Sequence, residues 1–186
     1  MQTKLITAAA VTALALSVAP ALAQNQKADR ASQSFIKTAI EVNLAEIDVG
    51  KLAQEKGQSQ AVKDFGAMLV QDHSDANQKA QAAANQIGVK PPSGSSFGEK
   101  ATYAKLKMLS GASFDKSFAK SMVSDHQSDI KEYQKESTKS DAAGQYAKEA
   151  LPTLQKHLQA AQRMQQQVMS EGKANSTTTG SNNMGK

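Results

Sequence analysis

The chain has 186 residues, a formal net charge of +5, 39% hydrophobic residues and no cysteine. This length suffices for one domain with a buried core, and the lack of cysteine excludes disulfide cross-links and a cysteine nucleophile. Basic residues are spread along the chain, tryptophan is absent and only 4% of the residues are aromatic, which argues against a nucleic-acid partner.

The N-terminal segment has the pattern of an export signal. Lys4 precedes an apolar run over 5–19, and an A-x-A cleavage motif follows at 21–23. The sequence therefore predicts a signal peptide over 1–23 and a periplasmic or secreted mature chain with no integral membrane span after signal removal. The positive charge is compatible with weak contact to anionic envelope surfaces.

Apolar residues at helical spacing predict four long helices after a polar leader, 24–30. Gly57 and Gly88 mark two helix ends, Ser59 and Ser113 are N-cap residues, and Ser140 or Asp141 starts the last helix. The expected helices are 31–56, 60–87, about 114–138 and about 142–170, with a short connecting helix over 97–109 between the second and third.

No window shows sustained alternation of apolar and polar residues, so no sheet is expected. The predicted fold class is all-α, an antiparallel four-helix bundle over 31–170. Pro152 lies inside the last helix and predicts a kink or a restart there. The segment 171–186 is rich in Gly, Ser, Thr and Asn, which is typical of a disordered tail.

The chain has three histidines, and two of them end a repeated pattern, Phe-x4-Val-x-Asp-His. At 100° per residue, all three imidazoles fall on the apolar arcs of their helices, and so does one glutamate on the first helix. Each of the four lies near the midpoint of its helix, so that side-by-side packing would bring them to one level. These four candidate metal ligands are Glu46, His73, His126 and His157.

Two interpretations of this inward set stay open. One carboxylate and three imidazoles could hold one transition-metal ion, such as iron, zinc, copper or nickel. Alternatively, Glu46 could accept hydrogen bonds from buried neutral imidazoles in a purely structural network. Asp72 and Asp125 each precede a histidine and are candidate acceptors for a metal-ligating ring on a neighbouring helix.

Five segments of the chain form a recognisable combination: Leu44 to Ala53, Phe65 to His73, Gly111 to Asp115, Met122 to His126 and Leu151 to His157. Together they resemble the bacterial domain-of-unknown-function family 4142, and the resemblance covers about residues 33–168. The resemblance implies an exported, ferritin-like helical bundle, and it supplies no activity. Ferritin-like di-iron proteins carry Glu-x-x-His motifs, but the residues three positions before the histidines of this chain are apolar, which argues against a conventional di-iron centre.

Two function classes follow from the sequence. The first is a metal-binding bundle that stores, buffers or detoxifies one ion, with a role in stress protection. The second is a non-enzymatic envelope interaction module that contains a buried His–Glu network. No nucleophile elbow, phosphate-binding loop or zinc-protease motif is present, so the sequence does not favour an enzyme.

Overall fold

A computed structural model describes the backbone of residues 28–180 and the side chains of residues 28–171. Within this range the chain forms helices and no strands, which confirms the predicted all-α fold. The predicted signal peptide and most of the polar leader lie outside the described residues. The helices are α1 (Arg30–Lys56), α2 (Gln60–Gln86), α3 (Phe97–Lys107), α4 (Gly111–Glu136) and α5 (Ala142–Gly180).

The four long helices pack as two antiparallel pairs. The start of α1 shares an apolar cluster with the end of α2, and the end of α1 shares another with the start of α2. The same reversal relates α4 to α5. All five helices contribute side chains to one cluster, whose largest fully buried members include Phe114 and Phe118. None of the described helices is long and apolar enough to cross a membrane.

Two glycines allow α1 and α2 to approach closely. A Cβ atom on Gly50 would lie 2.7 Å from the carbonyl oxygen of Gly66, and one on Gly66 would lie 2.6 Å from the oxygen of Gly50. Only a residue without a side chain tolerates such contact with backbone. This crossing fixes the height of α1 relative to α2, and therefore sets which side chains of the two helices meet.

Caps and boundaries agree with the sequence prediction to within two residues, except at the start of α4 and in the course and length of α5. The expected N-cap Ser113 lies inside α4, which begins at Gly111. The carboxylate of Asp115 instead accepts hydrogen bonds from the backbone N–H groups of Gln58 and Ser59, at 2.9 and 2.8 Å, and ties α4 to the α1–α2 connection. An aspartate one turn into a helix carries no sequence signal for such a distant partner.

The last helix differs from the prediction in its course and its length. It begins after Asp141, whose carboxylate accepts from the N–H of Gly144 at 2.9 Å. It runs through the exposed Pro152 without a break, so no restart occurs. Its backbone continues to Gly180, into the segment for which the sequence predicts disorder, while 181–186 lie outside the described residues.

Candidate metal centre

The three histidines meet in the interior of the bundle. His73 comes from α2, His126 from α4 and His157 from α5, and their side chains are 3%, 0% and 0% exposed. One ring nitrogen of each lies within 4.8 Å of one ring nitrogen of both others. The helical spacing thus predicted their burial, and the packing of three separate helices brings them together.

The orientation of His73 is fixed from α1. Its Nδ1 lies 2.9 Å from the side-chain oxygen of Asn43, and the Asn43 amide nitrogen donates to the hydroxyl of Tyr146 at 2.9 Å. Because the Asn43 oxygen can only accept, His73 donates from Nδ1. Its Nε2 then carries the lone pair, and this buried atom has no hydrogen-bond partner among the described residues.

The other two rings are oriented in the same manner. Nδ1 of His126 lies 2.9 Å from the carbonyl oxygen of Met122, one turn earlier on α4, and donates to it. Nε2 of His157 lies 2.8 Å from a carboxylate oxygen of Asp72 and donates to it. Asp72 is half-buried on α2, so it supports a ring on a neighbouring helix, the geometry that the sequence analysis considered for it.

These contacts leave two lone pairs facing each other. Nε2 of His126 and Nδ1 of His157 are 3.3 Å apart. In a neutral imidazole only one nitrogen carries a proton, and in both rings that proton is on the other nitrogen, which donates to Met122 or Asp72. Burial lowers the pKa of His126 to about 4, and burial also lowers the pKa of His157 although Asp72 opposes the shift. At neutral pH, both nitrogens therefore present lone pairs, the form in which imidazole can bind a metal ion.

Burial, together with the neighbouring His157 and His126 rings, lowers the pKa of His73 well below its usual value. All three imidazoles are thus neutral near pH 7, the form that binds metal ions. Beside them lies a cavity of about 160 Å³, lined by His73 and His157 and by both Tyr133 and Tyr146. Two of the three imidazoles, those of His73 and His157, therefore border this cavity.

Two predicted site residues lie elsewhere. Glu46 is buried, 5% exposed, but it lines a second cavity with Asp125, on the α1–α4 side of the bundle. The group of described side chains close enough to hold a metal consists of the three histidines without Glu46. The imidazole acceptors are Asn43, Met122 and Asp72, so Glu46 is not the centre of the histidine network.

The family assignment rests on a match over most of the chain. The profile of the family described as "Domain of unknown function (DUF4142)" matches residues 17–164. The chain belongs to this family. No curated protein matches the chain.

The fold of this DUF4142 chain is also found in a solved structure. It is similar to the crystal structure of a DUF305 fragment from Deinococcus radiodurans, with a TM-score of 0.66 and 14% sequence identity. The match covers 75% of this chain and 98% of that chain. At this identity the similarity shows a shared helical fold and carries no statement about function.

Asn43 and Tyr146 belong to the site but were not predicted from the sequence. Asn43 is 2% exposed and continues the buried stripe of Ile36 and Ile40 on α1, so a polar residue at a core position was the available signal. Tyr146 is buried on α5 beside Tyr133, with hydroxyl oxygens 3.3 Å apart. An aromatic residue at core spacing gives no indication that its hydroxyl completes a polar network.

Proposed function

We propose that this DUF4142 protein binds one transition-metal ion through His73, His126 and His157 and serves to sequester or buffer that metal. The observation that carries the proposal is the hydrogen bonding and spacing of the six ring nitrogens. One nitrogen of each ring is hydrogen-bonded to a protein acceptor. The free nitrogens of His126 and His157 lie 3.3 Å apart, and each of the three rings has a nitrogen within 4.8 Å of a nitrogen of both others. Supporting acceptors of this kind fix ring orientation and raise ligand basicity in metal sites.

The spacing is also of the right size. With Zn–N bonds of about 2.0–2.1 Å, two nitrogens of a tetrahedral site lie roughly 3.3–3.4 Å apart. The His126–His157 pair has a nitrogen separation of 3.3 Å. A modest inward movement of the His73 ring would complete a three-nitrogen set, and the adjoining cavity leaves room for a water or another small ligand. Imidazole ligands suit zinc, copper, nickel and iron.

Sequestration of one ion fits the ligand set better than two-metal oxidation chemistry or storage of mineral. Three buried imidazoles hold one ion, and they lack the bridging carboxylates that a two-metal oxidation centre uses. We further propose that the protein acts outside the cytoplasm, on the basis of the predicted signal peptide. A chain that binds free metal in the periplasm would protect the cell against metal stress. N-terminal sequencing of the mature protein tests the export step.

Elemental analysis tests the metal site directly. Untagged protein purified without chelator should contain close to one transition-metal ion per chain, and His126→Ala and His157→Ala should each lose it. Gln127→Ala is the matched control, because Gln127 is exposed and adjacent to His126 on the same helix. Asp72→Ala should keep the three ligands but bind roughly 10–100-fold more weakly, since it removes the acceptor of His157.

Metal should also raise the melting temperature of the parent, because an ion that binds only the folded state stabilises it. A parent that stays empty and unshifted when offered zinc, copper, nickel, iron and manganese would disprove the proposal. The histidines would then be a structural network, and the envelope interaction module would be the better description.

A further inference from the structure

A second polar cavity lies on the α1–α4 side of the bundle and contains none of the three histidines. Its volume is about 190 Å³. Four carboxyl groups from three helices line it, together with two hydroxyl side chains and one apolar residue. The lining residues are Val42 and Glu46 of α1, Glu99 and Thr102 of α3, and Asp125, Ser128 and Asp129 of α4.

Every polar side chain on this lining offers oxygen, and no lysine, arginine or histidine is among them. The carboxyl groups therefore face one another without a compensating positive charge in the cavity. Like charges gathered in a partly desolvated space repel, and a protein that keeps them together needs a proton or a cation there. A set of oxygen ligands without nitrogen or sulfur is the set that hard divalent cations prefer.

Glu46 supplies an observation independent of the clustering. It is only 5% exposed, and its Oε2 is buried without a hydrogen-bond partner among the described residues. Burial, followed by the charges of Asp129 and Asp125, raises the pKa of Glu46 well above its usual value. A buried carboxyl oxygen with no donor is costly, because the group has lost water and gained nothing in exchange.

Helix geometry places the other carboxyl groups on the lining of the same cavity as Glu46. Asp125 and Asp129 are one turn apart on α4 and thus lie on the same face of that helix. Ser96 caps α3 by accepting from the N–H of Glu99 at 3.2 Å, which places Glu99 in the first turn, where α3 meets the cavity. The short α3 thus closes one side of a site whose other sides are α1 and α4.

We propose that this cavity binds a hard divalent cation, Mg²⁺ or Ca²⁺, that keeps part of its water shell. The carboxylate oxygens are more widely spaced than the ring nitrogens of the histidine group, which is the only described set within 4.8 Å. Water ligands bridge that spacing. The cavity has room for them, because one water needs only about 10–15 Å³ of such space. Mg²⁺ in particular binds proteins through a few carboxylates and several waters.

This site is separate from the transition-metal site in its chemistry. Imidazoles favour zinc, copper and nickel, whereas carboxylates and hydroxyls favour magnesium and calcium. The two sites share α4, because His126 and Asp125 are consecutive and project about 100° apart. Each can therefore be removed without deleting a ligand of the other.

Calorimetric titration tests the proposal on the full protein. After chelator treatment and its removal, MgCl₂ and CaCl₂ are titrated at pH 7.5 and 0.15 M KCl. We expect one saturable site for at least one of the two cations. Glu46→Gln and Asp129→Asn should each weaken binding at least tenfold. His157→Gln should bind as the parent does, whatever the outcome of the transition-metal experiment.

Asp48→Asn is the matched control, because Asp48 lies on α1 near Glu46 but is exposed beside Lys51. It removes the same charge without touching the cavity, and its binding should equal that of the parent. The proposal is wrong if the folded parent binds neither cation, or if Glu46→Gln and Asp129→Asn both bind as tightly as Asp48→Asn. Asp129 is only half-buried, so Asp129→Asn decides the matter even if Glu46→Gln does not fold.

Discussion

The histidine group and the acidic cavity use neighbouring residues of α4 but satisfy their polar atoms differently. Each imidazole has one nitrogen hydrogen-bonded to a protein acceptor, and these hydrogen bonds fix the orientations of the three rings. Nε2 of His73 and Oε2 of Glu46 are both buried without a partner, but His73 is still oriented by the hydrogen bond of its other ring nitrogen to Asn43. The histidines and Glu46 are all buried near the midpoints of their helices. The difference is that hydrogen bonds orient the three imidazoles, whereas the carboxyl groups of the acidic cavity repel one another.

The two regions should respond to pH in opposite directions. Burial lowers the pKa of His126 to about 4 from 6.5, and burial with neighbouring carboxylates raises the pKa of Asp129 to about 7 from 3.8. A lowered histidine pKa contributes stability that is present above pH 6.5 and lost as the pH falls through 4. A raised aspartate pKa contributes stability that is present below pH 3.8 and lost as the pH rises through 7.

The largest expected effect is the loss of stability on acidification that the buried histidines cause. In metal-free protein, protonation of the unfolded His126 between pH 6.5 and 4 should lower the free energy of unfolding by up to about 3 kcal/mol. Urea unfolding at pH 7, 5.5 and 4 measures this loss. His126→Leu should flatten that part of the profile, because its side chain does not titrate. If His126→Leu loses as much stability between pH 7 and pH 4 as the parent does, burial of the neutral His126 ring is not the cause of the loss.

A change at the α1–α2 crossing should damage both regions together. A Cβ on Gly66 would lie 2.6 Å from the oxygen of Gly50 and 2.8 Å from the Cβ of Ala53. Gly66→Ala must therefore push α1 away from α2, and we expect a loss of about 2 kcal/mol from the free energy of unfolding. Since α1 carries both Asn43 and Glu46, transition-metal and magnesium or calcium affinity should fall in the same variant.

Gly98→Ala is the control for this change. A Cβ on Gly98 meets only the hydroxyl of Ser96, at 3.9 Å, so the substitution should be tolerated. Chemical unfolding of both variants at pH 7 makes the comparison. If Gly66→Ala is as stable as Gly98→Ala, the close approach of the two backbones does not determine the register of α1.

Helical spacing predicted the fold and the burial of all four candidate ligands, because periodicity records which face of a helix meets the core. It could not tell which neighbour each side chain meets. Glu46 and His73 both lie inside the bundle, yet Glu46 faces α3 and α4 while His73 faces α5 and Asn43. That choice depends on the rotation of packed helices about their axes, which the Gly50–Gly66 contact and the Asp115 cap help to set through residues distant in sequence.

The smallest expected effect isolates the acidic cavity. In the presence of chelator, Asp129→Asn should raise the free energy of unfolding at pH 8 by about 1 kcal/mol, after allowance for screening of a half-buried group. The gain should be much smaller near pH 4, where the parent carboxyl is protonated in the folded state and partly protonated in the unfolded state. Thermal or urea unfolding at the two pH values measures the difference.

Asp48→Asn removes an equal charge from the exposed face of α1, where it pairs with Lys51 at 3.8 Å. Exposed pairs of this kind contribute little, so this variant should change stability by less than about 0.5 kcal/mol at either pH. A gain at pH 8 in Asp129→Asn but not in Asp48→Asn would assign the penalty to crowding inside the cavity. Equal behaviour of the two variants would mean that water already screens these carboxylates, and the cavity would then have no need of a cation.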